Sequence, residues 1–270
     1  MSEHDDMGGL QRDLFATGAV MSRRHWLRLA AGLGLTLGAL PLLACAEDAK
    51  SAAATAAQKG GKKTHARIPE ETEGPFPGDG SNGPDVLRQS GAVRHDIRSS
   101  FAGLDGVADG APLALAMTIV SAKTGAPLAN HAVYVWHCDR VGRYSLYSPG
   151  ARDQNYLRGV QAAGADGIVR FTSVFPGCYA GRWPHIHFEV YPSLAAAKDV
   201  ANKLATSQIA LPKAACDQVY AHSSYADSAA NFSGMTLADD GVFSDGAALE
   251  LATVSGVPAN GMRAMLTVAV

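Results

Sequence analysis

Between residues 177 and 188 the chain reads Gly-Cys-Tyr-Ala-Gly-Arg-Trp-Pro-His-Ile-His-Phe. Alternate side chains of an extended strand share a face, so His185 and His187 project together while Ile186 points the other way. Tyr179 lies a short turn upstream, and Tyr144, in Gly142-Arg143-Tyr144, offers a second phenol from a separate segment. Two imidazoles and two phenols supply nitrogen and hard oxygen donors without a thiolate, a set suited to binding a metal ion. Each residue alone means little. A strand histidine is ordinarily a partly buried polar group, a tyrosine ordinarily buries its ring and leaves its hydroxyl at the rim, and a lone arginine is ordinarily solvated. Their concentration beside turns at one strand end, with Arg182 among them, is what points to a site.

The donor types narrow the metal. Zinc more often recruits cysteine, histidine or carboxylate. A free phenol has a pKa of about 10, so binding it as phenolate near neutral pH demands a strongly acidic ion. Ferric iron meets that demand, and tyrosinate is a known ligand to iron. Copper(II) is the next candidate on affinity.

These residues must be held by the elements around them, and the chain is long enough to build those. It has 270 residues, 47% hydrophobic and 7% aromatic, with a formal net charge of -2 and no basic block, which argues against a nucleic-acid surface. From about Thr64, short β-prone runs alternate with Gly-rich turns. Strands are expected over Leu113 to Ser121, Ala132 to Cys138, Ile168 to Phe171, Pro184 to Tyr191, Leu249 to Val254 and Met265 to Val270. In the second of these, Val133, Val135 and His137 fall on one face and Tyr134, Trp136 and Cys138 on the other. Ser193 is a good N-cap for a helix through Leu194 to Val200 and on toward Ala205. The pattern predicts an all-β fold, an antiparallel sandwich over residues 64–270 with one or two short helices.

The N-terminal part reads as targeting sequence. Arg23-Arg24 precedes an apolar stretch from Leu29 to Leu43 that is short for a membrane span, and Leu42-Leu43-Ala44-Cys45 resembles a lipoprotein cleavage site. The arginine pair resembles a twin-arginine export signal. The alternative is an uncleaved anchor helix, and Met21 is a second candidate start. Residues 1–45 are therefore expected to be an extension and signal, and 46–63, rich in Ala, Lys and Gly, a flexible tether. The expected location is the periplasm, or a membrane-anchored lipoprotein facing it with Cys45 as the candidate lipid anchor. Cys138, Cys178 and Cys216 then remain, either with two paired or as three buried thiols.

Three segments carry a resemblance: Thr72-Glu73-Gly74-Pro75-Phe76, Asp139-Arg140-Val141-Gly142-Arg143-Tyr144, and Pro176-Gly177-Cys178-Tyr179 running on to Arg182 and His185-Ile186-His187. Tyr156-Leu157-Arg158-Gly159-Val160-Gln161 and Asp166-Gly167 fit as well. Together they resemble the intradiol ring-cleavage dioxygenases, which include protocatechuate 3,4-dioxygenase and catechol 1,2-dioxygenase. The resemblance implies an intradiol-type β-sandwich and non-haem Fe(III) held by Tyr144, Tyr179, His185 and His187. It also implies a catecholic substrate and O2 as partners, with ring opening to a muconate-type dicarboxylate. Tyr179 corresponds to the displaceable ligand that takes a substrate proton, and Arg182 to the arginine that stabilises negative charge on the substrate. Gln208 lies where the family often has a pocket glutamine. The span from Tyr179 to His185 is shorter than in protocatechuate dioxygenases, and the long helical dimerisation region of catechol 1,2-dioxygenases has no counterpart. Rival readings are oxidation of a larger polyphenol at the same iron, and a non-enzymatic lipoprotein holding a carbohydrate or peptide; the complete ligand set with Arg182 argues against the latter.

Overall fold

Strand β1 (Pro112–Val120) buries Leu113, Leu115, Met117 and Ile119 and leaves the residues between them more open, the period of two that gives a sheet one core face. Strand β8 (Gly261–Ala269) does the same with Met262, Ala264, Leu266 and Val268. These two pair in parallel, and with β4 (Ile168–Val174) and β7 (Thr253–Val257) they form a sheet of order β4-β1-β8-β7. The second sheet, entirely antiparallel, has the order β3-β2-β5-β6, from β3 (Arg158–Ala162), β2 (Ala132–Trp136), β5 (His185–Tyr191) and β6 (Ala205–Ala210). The computed structural model describes residues 65–270; the arginine pair, Met21, Cys45 and the tether lie outside the described residues.

The second sheet is buried on both faces, and this decides where the chemistry sits. Val133, Val135, Ile186, Phe188 and Val190 turn inward to the core between the sheets. Tyr134, Trp136, Cys138 and Tyr191 turn outward, where Val86, Leu87 and Phe101 cover them in a second apolar cluster. His185 and His187 therefore stand on the face away from the main core, beneath the covering chain.

Among the described residues the all-β expectation holds, with two short helices, α1 (Lys213–Tyr220) and α2 (Ala226–Phe232), neither of them where the sequence pattern suggested. After Ser193 there are only two single turns of 3-10 helix, Ala196–Lys198 and Val200–Asn202. Ser193 Oγ accepts from Ala196 N at 3.2 Å, but the N-cap of the first turn is Ala195, and no side chain caps it. Asp199 then goes extended and accepts Ala201 N with its side chain, which restarts the turn and breaks the helix. Strands β3 and β6 escaped the pattern because Arg158-Gly159 and Thr206-Ser207-Gln208 show no alternation; pairing with β2 and β5 makes them strands. The strand expected from Leu249 begins only at Thr253. Among the described residues no helix is long and apolar enough to cross a membrane. Cys138, Cys178 and Cys216 are all buried free thiols.

Candidate metal centre

Tyr144 arrives on the turn that follows β2, and Asp139 builds that turn. Its Oδ1 accepts Val141 N at 3.1 Å and Arg143 N at 3.0 Å, while Oδ2 accepts Arg143 Nε at 2.9 Å and the Tyr156 hydroxyl at 3.1 Å. Gly142 has φ +87°, and a Cβ there would stand 3.0 Å from the Tyr179 Cβ, so the turn needs glycine on both counts. Tyr179 is delivered by the segment after β4. Gly177 lies against the carbonyls of Asp139 and Arg140, where a Cβ would come within 2.7 Å of each. Helix α2 clamps the next residue: Cys178 N donates to Ser228 Oγ at 2.9 Å, and Asn231 Nδ2 donates to Cys178 O at 2.9 Å. Cys178 is thus a buried thiol whose backbone, held at both ends, aims Tyr179.

The four predicted donors converge. Tyr144 Oη lies 3.4 Å from Tyr179 Oη and 3.3 Å from His185 Nε2; Tyr179 Oη is 3.2 Å from His185 Nε2, which is 3.1 Å from His187 Nε2. Donors spaced this closely around a shared centre would each stand about 2 Å from it, the length of a first-row metal–nitrogen bond. His185 Nδ1 donates to Trp183 O at 2.5 Å, which leaves its Nε2 lone pair facing the centre. His187 is oriented differently. Its Nδ1 is buried without a hydrogen-bond partner among the described residues, and its ring stacks on Trp136 with centroids 4.9 Å apart and planes 8° from parallel. On another side, a Cβ at Gly74 would meet His187 Cε1 at 3.4 Å.

Burial pushes both imidazoles well below the usual histidine range, helped next by the Arg182 charge at His185 and by His185 and then Arg182 at His187, so both are neutral near pH 7. Burial raises both phenols, Tyr144 well above the ordinary tyrosine range; its neighbour Tyr179 adds to this, while Arg182 opposes it in both. In the protein alone the phenols stay protonated. Phenolates at this depth require a strongly charged cation among them, which is what two phenols and two imidazoles suit. Tyr144 is 2% exposed, whereas Tyr179 is only partly buried.

Arg182 is also here, its side chain 11% exposed, paired with Asp240 at 3.0 Å and donating from Nη2 to Gln208 Oε1 at 2.6 Å. Gln208 is opposite His187 in the β5–β6 register, and its Nε2 donates to Thr72 O at 2.9 Å, so both amide ends are engaged. Phe76 packs on Tyr144 and Tyr147, with centroids 5.0 and 5.2 Å away. Three residues important to this arrangement carried no assignment from sequence: Asp139, Arg158 and Asp240. Asp139 sits inside a quoted motif, and its place ahead of Gly142 was the available signal; Asp240 had none.

A separate acidic group, Glu73, Asp79 and Glu189, has carboxylate oxygens within 4.8 Å of one another. It is filled by the ammonium of Lys203, at 2.5 Å from Glu73, 3.0 Å from Glu189 and 3.6 Å from Asp79.

The fold and this centre define a two-sheet β-sandwich with a candidate mononuclear metal site on the outer face of one sheet. A solved structure with the same fold is the "Intradiol ring-cleavage Dioxygenase from Tetranychus urticae", at TM-score 0.57 and 23% identity, covering 76% of this chain and 94% of that one. A family model described as Dioxygenase matches residues 82–196, a span that contains Tyr144, Tyr179, Arg182, His185 and His187. A catechol 1,2-dioxygenase of Acinetobacter lwoffii is 32% identical over 139 residues, 44% of this chain and 42% of that protein. A chlorocatechol 1,2-dioxygenase of Rhodococcus opacus is 38% identical over 56 residues, 21% of this chain and 22% of that protein. The chain therefore has the fold of an intradiol ring-cleavage dioxygenase, and its residues 82–196 are similar to the Dioxygenase family. Its match spans less than half the length of these curated relatives.

Proposed function

We propose that this chain is a non-haem Fe(III)-dependent intradiol dioxygenase, using O2 to open the ring of a catecholic aromatic between its hydroxylated carbons and yield a muconate-type dicarboxylate. The observation that carries this reading is the convergence of two phenol oxygens and two imidazole Nε2 atoms at 3.1–3.4 Å. Ferric iron held by Tyr144, Tyr179, His185 and His187 would supply the electron withdrawal that makes a bound catecholate reactive toward dioxygen.

The chain's own residues divide the remaining work. His185, tied back through Nδ1 to Trp183 O, and His187, wedged between Trp136 and Gly74, are built as fixed ligands. Tyr144, in the buried turn organised by Asp139, is a third. Tyr179 is the less buried phenol, and its Oη would be the group that takes a proton from a catechol hydroxyl. Arg182 supplies N–H donors and positive charge to the anion that develops on the substrate, and Gln208 acts through Arg182. Phe76 and the chain around it shut water away from Tyr144. Export by a twin-arginine route, with anchoring at Cys45, belongs to the same proposal; that pathway carries folded proteins and would allow iron loading before export.

The iron-loaded protein should be burgundy, with a tyrosinate charge-transfer band in the visible that shifts when catechol is added. With isotopically labelled O2, both oxygen atoms should appear in a ring-opened dicarboxylate. Protein that remains colourless after careful iron loading, or that binds iron and leaves a panel of catechols intact, would sink the reading.

A further inference from the structure

Asp240 lies in the C-terminal segment between two single turns of 3-10 helix, Leu237–Asp239 and Phe243–Asp245, with no exposed surface. Its two oxygens have separate duties. Oδ1 closes the local turn by accepting Val242 N at 2.8 Å and Phe243 N at 3.2 Å. Oδ2 reaches across the fold to Arg182 Nε at 3.0 Å and Trp183 N at 2.6 Å. A residue whose purpose was local capping would need only the first oxygen. The second is committed to Arg182 and to the N–H of Trp183, the residue whose own carbonyl receives His185 Nδ1.

The consequence for Arg182 is specific. Nε is taken by Asp240 and Nη2 by Gln208, at 2.6 Å. Gln208 is itself fixed by Thr72 O at 2.9 Å, so the guanidinium plane is held from two directions. Nη1 is the nitrogen with no hydrogen-bond partner among the described residues, and so the one available to a substrate. The Asp240 carboxylate also offsets much of the guanidinium charge nearby. Such an arginine works chiefly as a set of aimed N–H donors rather than as a bare point charge, and an ammonium cannot reproduce that plane.

We propose that Asp240 is the positioning residue of Arg182: its carboxylate fixes the guanidinium plane so that Nη1 stands ready beside the four-donor centre. This rests on the dioxygenase reading of the centre. Catalysis then depends on Asp240 only through Arg182, and the dependence has a signature beyond turnover.

In metal-free protein labelled with 15N-arginine, one Nε–H resonance should exchange slowly at pH 7, be missing from Arg182→Lys, and be lost or exchange fast in Asp240→Asn. This arm needs no catalysis, so it stands apart from the fate of the dioxygenase reading. In iron-loaded protein, Asp240→Asn should keep its iron and visible band and lose at least ten-fold in kcat. The double variant Arg182→Ala/Asp240→Asn should be no slower than Arg182→Ala. Arg182→Lys, which leaves Asp240 in place and serves if Asp240→Asn does not fold, should lose nearly as much as Arg182→Ala. Wild-type turnover in Asp240→Asn or in Arg182→Lys, fully multiplicative losses in the double variant, or a fast-exchanging Arg182 Nε–H in the unmutated protein would each overturn the proposal.

Discussion

At the scale of single residues, the two phenols are distinguished by surroundings rather than type. Tyr144 is sealed, whereas Tyr179 is only partly buried and sits beside Arg182. Tyr179→Phe is expected to change the visible band of the iron-loaded protein and lower kcat about 10²-fold, the usual scale for losing a positioned proton acceptor. Arg182→Ala should keep the band and slow turnover by a similar factor, as removal of one aimed donor does in other enzymes. Absorbance and steady-state kinetics on the same preparations check both. A third residue sets behaviour in acid. Burial depresses His137 from the usual 6.5 to about 4, and its ring is satisfied by Cys138 O at 2.8 Å and Ser173 Oγ at 2.7 Å. Its folded pKa lies below its unfolded one, so the unfolded chain binds more protons as pH falls. The contribution is complete above pH 6.5 and is lost on the way to about pH 4, on the order of 3 kcal/mol. Denaturant titrations across this window should show that slope, and His137→Gln should reduce it without abolishing it, because His185 and His187 are shifted in the same direction.

Among the elements, the cover of the centre depends on a few long-range ties. Arg158 on β3 is 1% exposed, and its guanidinium donates to Phe76 O, Pro77 O, Ser145 O, Ser145 Oγ and the Tyr134 hydroxyl. It thereby joins the segment carrying Phe76 to the turn carrying Tyr144. Arg158→Lys keeps the charge but cannot span these acceptors, and several buried carbonyls go unpaired. A loss of about 3 kcal/mol is expected, read as a lower urea midpoint with unchanged m-value. Lys203 ties the same covering segment to β5 through Glu73 and Glu189. None of these ties was legible in the sequence. Local alternation revealed which face of β5 bears the histidines and how β2 divides its side chains between two clusters. Arg158 meets Phe76 across 82 residues and Arg182 meets Asp240 across 58, and no local pattern encodes such contacts. The misplaced helix has the same origin: good propensity after Ser193 yields to the extended backbone at Asp199 and to the short run into β6.

For the molecule as a whole, the thiols follow from the way both faces of the second sheet are covered. Burial raises the Cys138, Cys178 and Cys216 thiols, so none is an accessible nucleophile. A thiol reagent should leave these three untouched in native buffer and modify all of them after denaturation, with intact mass recording the count; a disulfide among them would show as a missing pair. The composition and turn pattern made the two-sheet architecture legible, yet not the order of its strands, because β1 finds its parallel partner in β8 only after most of the chain has intervened.

That pairing carries a consequence for synthesis. Strand β8 is an interior strand of its sheet, flanked by β1 and β7, although it comes after them both in chain order. A nascent chain that has already released β1 to β4 from the ribosome holds an antiparallel β1–β4 pair, and the β1 edge of that pair stays unpaired until Gly261–Ala269 emerges. Folding of this sheet therefore waits for those residues, and a ribosome stalled short of them leaves a sticky fragment for chaperones rather than a finished sheet.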